Sequence, residues 1–323
     1  MHALLLEDVV KRFGGVTAVD DLQFAVERGV CCGIVGPSGA GKTTTLRLIL
    51  SILLPDAGRV SVLGRASALE ARNLIGYLPE ERGVYRRMKV GDFLLYIAQL
   101  KGVALAEAHR RAPRLLERLG LADVRDRRCE ELSKGMLQRV QFVASIINEP
   151  ELLILDEPFS GLDPVSVRLL RDVIASERDR GATLLFSTHV MEHAEELCDR
   201  VVMIHRGRKV LDEPTVSLRR QFDPQRIEFE PLEVGADLGV LRAIPGVREF
   251  VSRGIGCELR LDTGTEPAEV LRAAAAAVPA ARLAIARVTL EDVFVRLVTQ
   301  GTDAENADAL RHQLRGTAEG AAA

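Results

Sequence analysis

One segment, residues 30–50 (VCCGIVGPSGAGKTTTLRLIL), restricts the possible folds more than any other. Its middle reads Gly36-Pro37-Ser38-Gly39-Ala40-Gly41-Lys42-Thr43 and fits G-x-x-x-x-G-K-[ST]. An apolar run over 30–35 precedes it and reads as a buried strand. An apolar-periodic run over 44–54 follows it and reads as a helix. A strand, a glycine-rich loop and a helix in that order make a phosphate cradle. Glycines let the backbone turn tightly and approach phosphate without Cβ clashes. The loop N–H groups and the positive end of the helix then face the anion. Residues 36–44, Thr44 included, are therefore candidate nucleotide-binding positions. Lys42 can reach the β- and γ-phosphates, and the Thr43 hydroxyl can ligate Mg²⁺. A glycine-rich turn that binds nothing is the competing reading. It does not account for the Lys-Thr pair together with both flanks.

A second stretch complements the first. Leu152-Leu153-Ile154-Leu155-Asp156-Glu157 is four apolar residues ending in two acids. A buried strand delivers its C-terminal acids to the sheet edge where ligands bind in open α/β folds. Asp156 is a natural partner for Mg²⁺. Glu157 is placed to polarise water for attack on a γ-phosphate. Two solvated acids at a strand end would be a weak signal alone. The phosphate loop upstream makes it a strong one.

The rest of the chain alternates strands and helices, which implies a largely parallel sheet with helices on both faces. Strands are expected over 4–12 and 16–26, antiparallel about Gly14-Gly15, then over 59–63 and 74–78. A charged loop covers 79–87. Residues 90–148 are helical in pattern: Phe93, Leu94, Ile97 and Leu100 share one face, as do Leu115, Leu116 and Leu119. Asp163-Pro164 reads as a helix start, a cap followed by proline, with the helix running to about 180. Strands follow over 182–186 and 201–205, with a helix over 191–198 between them. The composition shifts over 214–224. Residues 225–300 then read as a small α+β unit, with helices over 238–244, 267–278 and 290–298 and a last strand over 283–288. Residues 301–323 are polar and Ala-rich without a periodic stripe, so a mobile tail is expected there.

Composition narrows the partners. Net charge is −3 and aromatic residues are 4% with no Trp. That leaves neither a nucleic-acid footprint nor base-stacking platforms, so no nucleic acid is expected. The cluster Arg82, Arg86, Arg87 and Lys89 reads as a solvated or partner-facing surface. Five cysteines without metal spacing argue for a reducing compartment. No run reaches the ~18–20 apolar residues of a membrane span, and the acid-bearing N-terminus is unlike a signal peptide. A membrane role would come through another chain.

These motifs, with what lies between them, resemble the ATP-binding subunits of ABC transporters, over residues ~3–220. Leu132-Ser133-Lys134-Gly135-Met136, followed by Gln138-Arg139-Val140, is similar to the family signature LSGGQ at the start of a helix. The resemblance implies that Ser133 and Gly135 meet the γ-phosphate of an ATP held by an opposite subunit. Lys134 and Met136 depart from the pattern in a way that resembles the export-type branch. Phe13 falls where the family stacks an aromatic on adenine; core packing is its other reading. Ser160-Gly161-Leu162-Asp163 resembles the loop that crosses the dimer interface. His189, after the 182–186 strand, matches the switch histidine, expected to sense the γ-phosphate and to orient Glu157 and water. Glu80 stands where the family usually has glutamine, and as a carboxylate it can ligate Mg²⁺. The string YLPEERG at 77–83 and the C-terminal Thr289-Leu290-Glu291-Asp292-Val293-Phe294 resemble bacterial drug or sodium efflux ATPases and their accessory domain.

The resemblance implies a P-loop NTPase core of the ABC ATPase type. An antiparallel β subdomain and a helical subdomain at about 80–148 would complete a 1–220 cassette. A regulatory or dimerising α+β domain over 221–300 would follow. Catalytic roles fall to Lys42, Glu157 and His189, metal binding to Thr43, Asp156 and Glu80, with ATP and Mg²⁺ as cofactors. The expected partners are separate transmembrane permease subunits and a second ATP-binding subunit, in a homodimer. The expected location is cytoplasmic, on the inner face of the cell membrane. Two other readings compete. A ribosome-acting ABC-type ATPase would generally carry two cassettes, and this chain has one phosphate loop. A P-loop kinase or GTPase is disfavoured by the signature and the Asp156-Glu157 pair, and no N-K-x-D string is present.

Overall fold

A computed structural model describes residues 2–81, 83–221, 226–286 and 289–298. Arg82, the last two residues of the strand expected over 283–288, and the expected tail over 301–323 lie outside them. The chain divides into two compact units, one built from residues up to Thr215 together with the chain from Phe294, the other from Val216–Val293.

The first unit contains two sheets. Strands β1 (His2–Phe13), β2 (Val16–Glu27) and β4 (Ala57–Val62) form an antiparallel sheet in the order β2-β1-β4. Leu4, Leu6 and Val9 of β1 and Leu22, Phe24 and Val26 of β2 are buried. The larger sheet runs β5-β6-β7-β3-β8-β9, from Ile75–Leu78, Leu152–Asp156, Thr183–Thr188, Cys31–Val35, Arg200–His205 and Arg208–Pro214. All its pairs are parallel except the β8–β9 hairpin at the edge. β3, β6 and β7 are buried at every position, as their unbroken apolar runs require when both faces are covered. Helix α1 (Lys42–Ile49) lies in the core between the sheets. Its Leu46 and Ile49 belong to one cluster with Leu4, Leu6, Ile34, Ile154 and Val202.

Helices α2 (Val90–Leu100), α3 (Leu105–Arg118) and α4 (Lys134–Ile146) fill the stretch expected to be helical. In α2 the buried positions are Val90, Gly91, Phe93, Leu94 and Ala98, while Leu100 is exposed. The stripe steps by three and four residues, and Leu100 falls two residues past its last member. Helix α5 (Pro164–Asp179) starts as expected, with Asp163 accepting from the N–H of Val165 and Ser166 at 3.0 Å. Helix α6 (Met191–Leu197) separates β7 from β8.

Helix α1 is shorter than its sequence pattern suggests. It stops at Ile49 because Ser51 turns left-handed at φ 56° and the N–H groups of Ile52 and Leu53 both return to the Arg47 carbonyl. Pro55 further disfavours helical geometry at Leu54. A 3₁₀ turn at Ala68–Leu74, capped by Ser67, had no clear sequence signal.

Helix α7 (Thr215–Gln221) begins at the last residue of the first stretch and leads into the second unit. Strands β10 (Arg226–Pro231), β11 (Val247–Arg253), β12 (Gly256–Leu261) and β13 (Ala280–Ile285) form an antiparallel sheet in the order β11-β12-β10-β13. Its core joins Ile227, Phe229, Leu259 and Leu261 to Val270 and Ala274 of α8 (Pro267–Ala277). Helix α9 (Leu290–Val298) follows. The helix expected over 238–244 is only a 3₁₀ turn at Gly239–Ala243.

Candidate active site

The order β5-β6-β7-β3 sets four strand ends side by side. The phosphate loop follows β3, Thr188 ends β7 and His189 follows it, Asp156 ends β6 and Glu157 follows it, and Glu80 lies just past β5. Lys42, Thr43, Glu80, Asp156, Glu157 and His189, all singled out from the sequence, are thereby gathered at one sheet edge.

The loop itself depends on two glycines. A Cβ on Gly36 would lie 2.2 Å from the Ile204 carbonyl oxygen. Gly41 caps α1 at φ 106°, and its Cβ would lie 2.5 Å from the Ala18 carbonyl oxygen. Ala40 is buried, and its carbonyl takes the Gly207 N–H at 2.9 Å. Ser38 and Gly39 are exposed at the tip. Lys42 is 7% exposed and folds back over the loop, its Nζ donating to Gly36 O at 2.8 Å and Pro37 O at 3.1 Å. Burial pushes the Lys42 pKa down, and Glu157, Asp156 and Glu80 pull it back up.

Asp156 is 1% exposed. Its Oδ1 accepts from Ser187 Oγ and, at 3.5 Å, from Thr43 Oγ1. Its Oδ2 is buried without a partner. Burial raises its pKa, and the Glu157 charge adds to that; the Ser187 and Thr43 hydroxyls and Lys42 oppose it. Glu80 is exposed, and burial followed by the charges of Asp156 and Glu157 raises its pKa. Three carboxylates thus meet one buried lysine. An unpartnered carboxylate oxygen on Asp156, with the Thr43 hydroxyl 3.5 Å from the other oxygen of the same carboxylate, offers the hard oxygen donors that a hydrated Mg²⁺ takes. Among the described residues no group of three or more His, Cys, Asp or Glu forms a complete metal cage.

Glu157 is 8% exposed and left-handed at φ 47°. Its N–H donates to Ser187 O at 3.1 Å. Its Oε1 accepts the His189 backbone N–H at 2.9 Å and lies 2.8 Å from His189 Nδ1; its Oε2 accepts from Thr188 Oγ1 at 3.3 Å. An ionised carboxylate only accepts, so Nδ1 carries the ring proton. Glu157 is therefore held, desolvated and aimed by the strand next to its own.

Phe13, Ser133 and Gly135 are not drawn into this cluster. Phe13 sits at the end of β1, 48% exposed, with Lys11 Nζ 5.6 Å from its ring centroid. Its ring is open to a flat ligand, so core packing does not describe it. Ser133 caps α4, accepting from the Met136 N–H at 3.3 Å, and is exposed; Gly135 faces Leu162. No polar contact joins either residue to the side chains of Lys42, Asp156 or Glu157.

Three neighbours of the site were not read from the sequence. Ser187 holds Asp156. Phe159 lies between His193, at 4.8 Å, and Phe186, at 5.7 Å, with the Arg171 guanidinium 5.6 Å from its ring centroid. Gln138, on α4, is buried, and its Nε2 donates to Pro158 O at 2.7 Å and to Glu157 O at 3.5 Å. The sequence shows Gln138 beside the signature, but not which carbonyls it reaches.

Comparison with known proteins agrees with this geometry. Residues 19–160 match the ABC transporter family, and residues 215–298 match the DrrA1-3-like ATP-binding protein C-terminal domain. The chain is similar to the uncharacterized ABC transporter ATP-binding protein YhaQ of Bacillus subtilis (strain 168), 40% identical over 80% of this chain and 86% of that one. It is similar to the Nod factor export ATP-binding protein I of Burkholderia lata, 35% identical over 90% of this chain and 95% of that one. Among solved structures, an ATP-binding subunit of an ABC transporter superposes with a TM-score of 0.64, at 33% identity, covering 68% of this chain and 93% of that one.

Proposed function

The chain belongs to the ATP-binding, ATP-hydrolysing subunits of ABC transporters, and from that premise we propose that it powers export through separate membrane-spanning subunits. The observation that carries the reading is the strand-edge grouping of Lys42, Asp156, Glu157 and His189. Residues 36–44 hold the triphosphate, with Lys42 leaving its loop carbonyls for the β- and γ-phosphates. Thr43 and Asp156, the latter through its unpartnered oxygen, would hold Mg²⁺, with Glu80 at the end of the neighbouring strand a further candidate ligand, and the ion would supply neutralisation of phosphate charge. Glu157 takes a proton from the attacking water, and His189 fixes the carboxylate that does so. Phe13 stacks on the adenine.

Ser133 and Gly135 lie outside the cluster, at the exposed start of a helix. They suit the γ-phosphate of a second copy, which makes the working unit a dimer with two composite sites. Among the described residues no helix is long and apolar enough to cross a membrane. The family's membrane partners therefore supply the passage, and the chain works at the cytoplasmic face. Residues 1–220 act as the cassette, and 221–300 as a regulatory or dimer-stabilising addition. Nucleic acid is not a partner. Export rather than uptake is supported by the relative that carries export in its name.

The test is recovery of the full-length chain from detergent-solubilised native membranes. A polytopic membrane protein should co-purify and stimulate ATP turnover. Recovery with ribosomes instead, and no membrane protein, would overturn the reading.

A further inference from the structure

Glu157 has a backbone conformation that needs holding. A non-glycine residue at φ 47° is strained, and Pro158 after it disfavours compact geometries further. One side of the residue is pinned by its N–H on Ser187 O at 3.1 Å. On the other side stand two successive carbonyls, Glu157 O and Pro158 O. Both face the Nε2 of Gln138, at 3.5 and 2.7 Å. Pro158 has no N–H to donate, and the local chain supplies one donor to these carbonyls, the Ser160 N–H to Glu157 O at 3.1 Å; Pro158 O, at 2.7 Å, is the shorter contact of the Gln138 amide. The Gln138 amide is 8% exposed and makes no bond to any other side chain.

Gln138 sits on α4, the helix whose first turn carries Ser133 and Gly135. Gln138 lies five residue steps after Ser133, a rise of about 7.5 Å. Ser133 caps the same continuous 13-residue helix that carries Gln138, so a displacement of the helix start would be carried to the Gln138 amide.

We propose that Gln138 is a positioning residue for Glu157: its amide links the helix start that would face one ATP to the carboxylate that acts on the other. The inference rests on Glu157 as the base and on Ser133 and Gly135 as contacts to a second copy's nucleotide. Gln138 touches neither nucleotide nor water. It fixes the peptide on which Glu157 is mounted, so that engagement of α4 and readiness of Glu157 are coupled within one chain.

The bland alternative is that Gln138 only fastens α4 beneath β6. Steady-state ATP hydrolysis by full-length Gln138→Leu and by Gln138→Met, which removes the donor, keeps the chain length and adds no charge, separates the two. A shift of roughly 1 Å in a reacting group can cost about a hundredfold. The expected result is a fall in kcat of between about tenfold and a hundredfold, with KM for ATP and the Tm unchanged in at least Gln138→Met. Wild-type kcat in either folded variant would overturn the proposal, as would kcat, KM and Tm deteriorating together in both. Glu157→Gln is measured beside them. If that variant itself turns over ATP normally, the assignment of the base has failed; if it is inert while Gln138→Met is normal, only the role of Gln138 has.

Discussion

The ring Nδ1 of His189 lies 2.8 Å from Oε1 of Glu157, and the His189 backbone N–H reaches the same oxygen at 2.9 Å. One residue at the end of β7 therefore holds the carboxylate at the end of β6 twice. Replacing His189 by Ala removes the ring contact and leaves the backbone one. ATP binding should persist while turnover falls about a hundredfold or more. Steady-state hydrolysis beside equilibrium nucleotide binding checks this, and matched losses in both would contradict it.

Lys42 Nζ donates to the Gly36 and Pro37 carbonyls and feels the charges of Glu157, Asp156 and Glu80. Lys42→Ala should weaken ATP binding by about two orders of magnitude or more, since a desolvated charge pair is worth about 2–5 kcal/mol. Fluorescent-nucleotide titration reads this directly.

The same lysine gives a pH dependence. Burial holds its pKa below the ordinary 10.5. The free site therefore begins to lose its cation at a lower pH than an exposed lysine would. Bound triphosphate favours the charged form, so binding takes up a proton as pH rises. ATP affinity should fall on the alkaline side, beginning below 10.5, and calorimetry in buffers of different ionisation enthalpy should detect the uptake. Affinity that falls only in the range where an exposed lysine loses its proton would contradict it.

Asp156 keeps one oxygen on Ser187 and Thr43 and leaves the other buried and unpartnered. Asp156→Asn preserves the first arrangement and removes the charge. Mg²⁺ should then no longer tighten ATP binding, and turnover should drop by about a hundredfold or more. Nucleotide titration with and without Mg²⁺ measures the difference.

Gly36 and Gly39 offer a contrast in stability. A Cβ on Gly36 would sit 2.2 Å from Ile204 O, whereas one on Gly39, at φ 77°, would meet nothing within 4 Å. Gly36→Ala should destabilise by about 3 kcal/mol. Gly39→Ala should cost only the left-handed backbone penalty of about 1–2 kcal/mol. Denaturant unfolding of both variants checks the order.

Much of this site was legible because its residues carry their signal locally. Lys42 and Thr43 stand within a fixed spacing of glycines, and Asp156-Glu157 ends an apolar run that can only be a buried strand. Sheet order then did what no spacing could, setting β7 beside β3 and β6 beside β7. Contacts between segments distant in sequence were not legible. Gln138 to Pro158, Ser187 to Asp156 and Phe159 to His193 depend on packing, and nothing near those residues encodes it. The left-handed Glu157 was also hidden, since glutamate has no preference for that conformation. Local errors had the same origin. The run after the phosphate loop stays apolar to Leu54, but the chain turns at Ser51. The stretch over 238–244 is apolar enough for a helix, and with Gly239 and Pro245 at its ends it forms only a 3₁₀ turn.

The most direct test of the account is the mass of Glu157→Gln in solution, by light scattering, with and without MgATP, beside its steady-state hydrolysis. The account predicts a hydrolytically inert protein that is monomeric alone and dimeric with MgATP. Undiminished hydrolysis, or a mass that ignores MgATP, would contradict it.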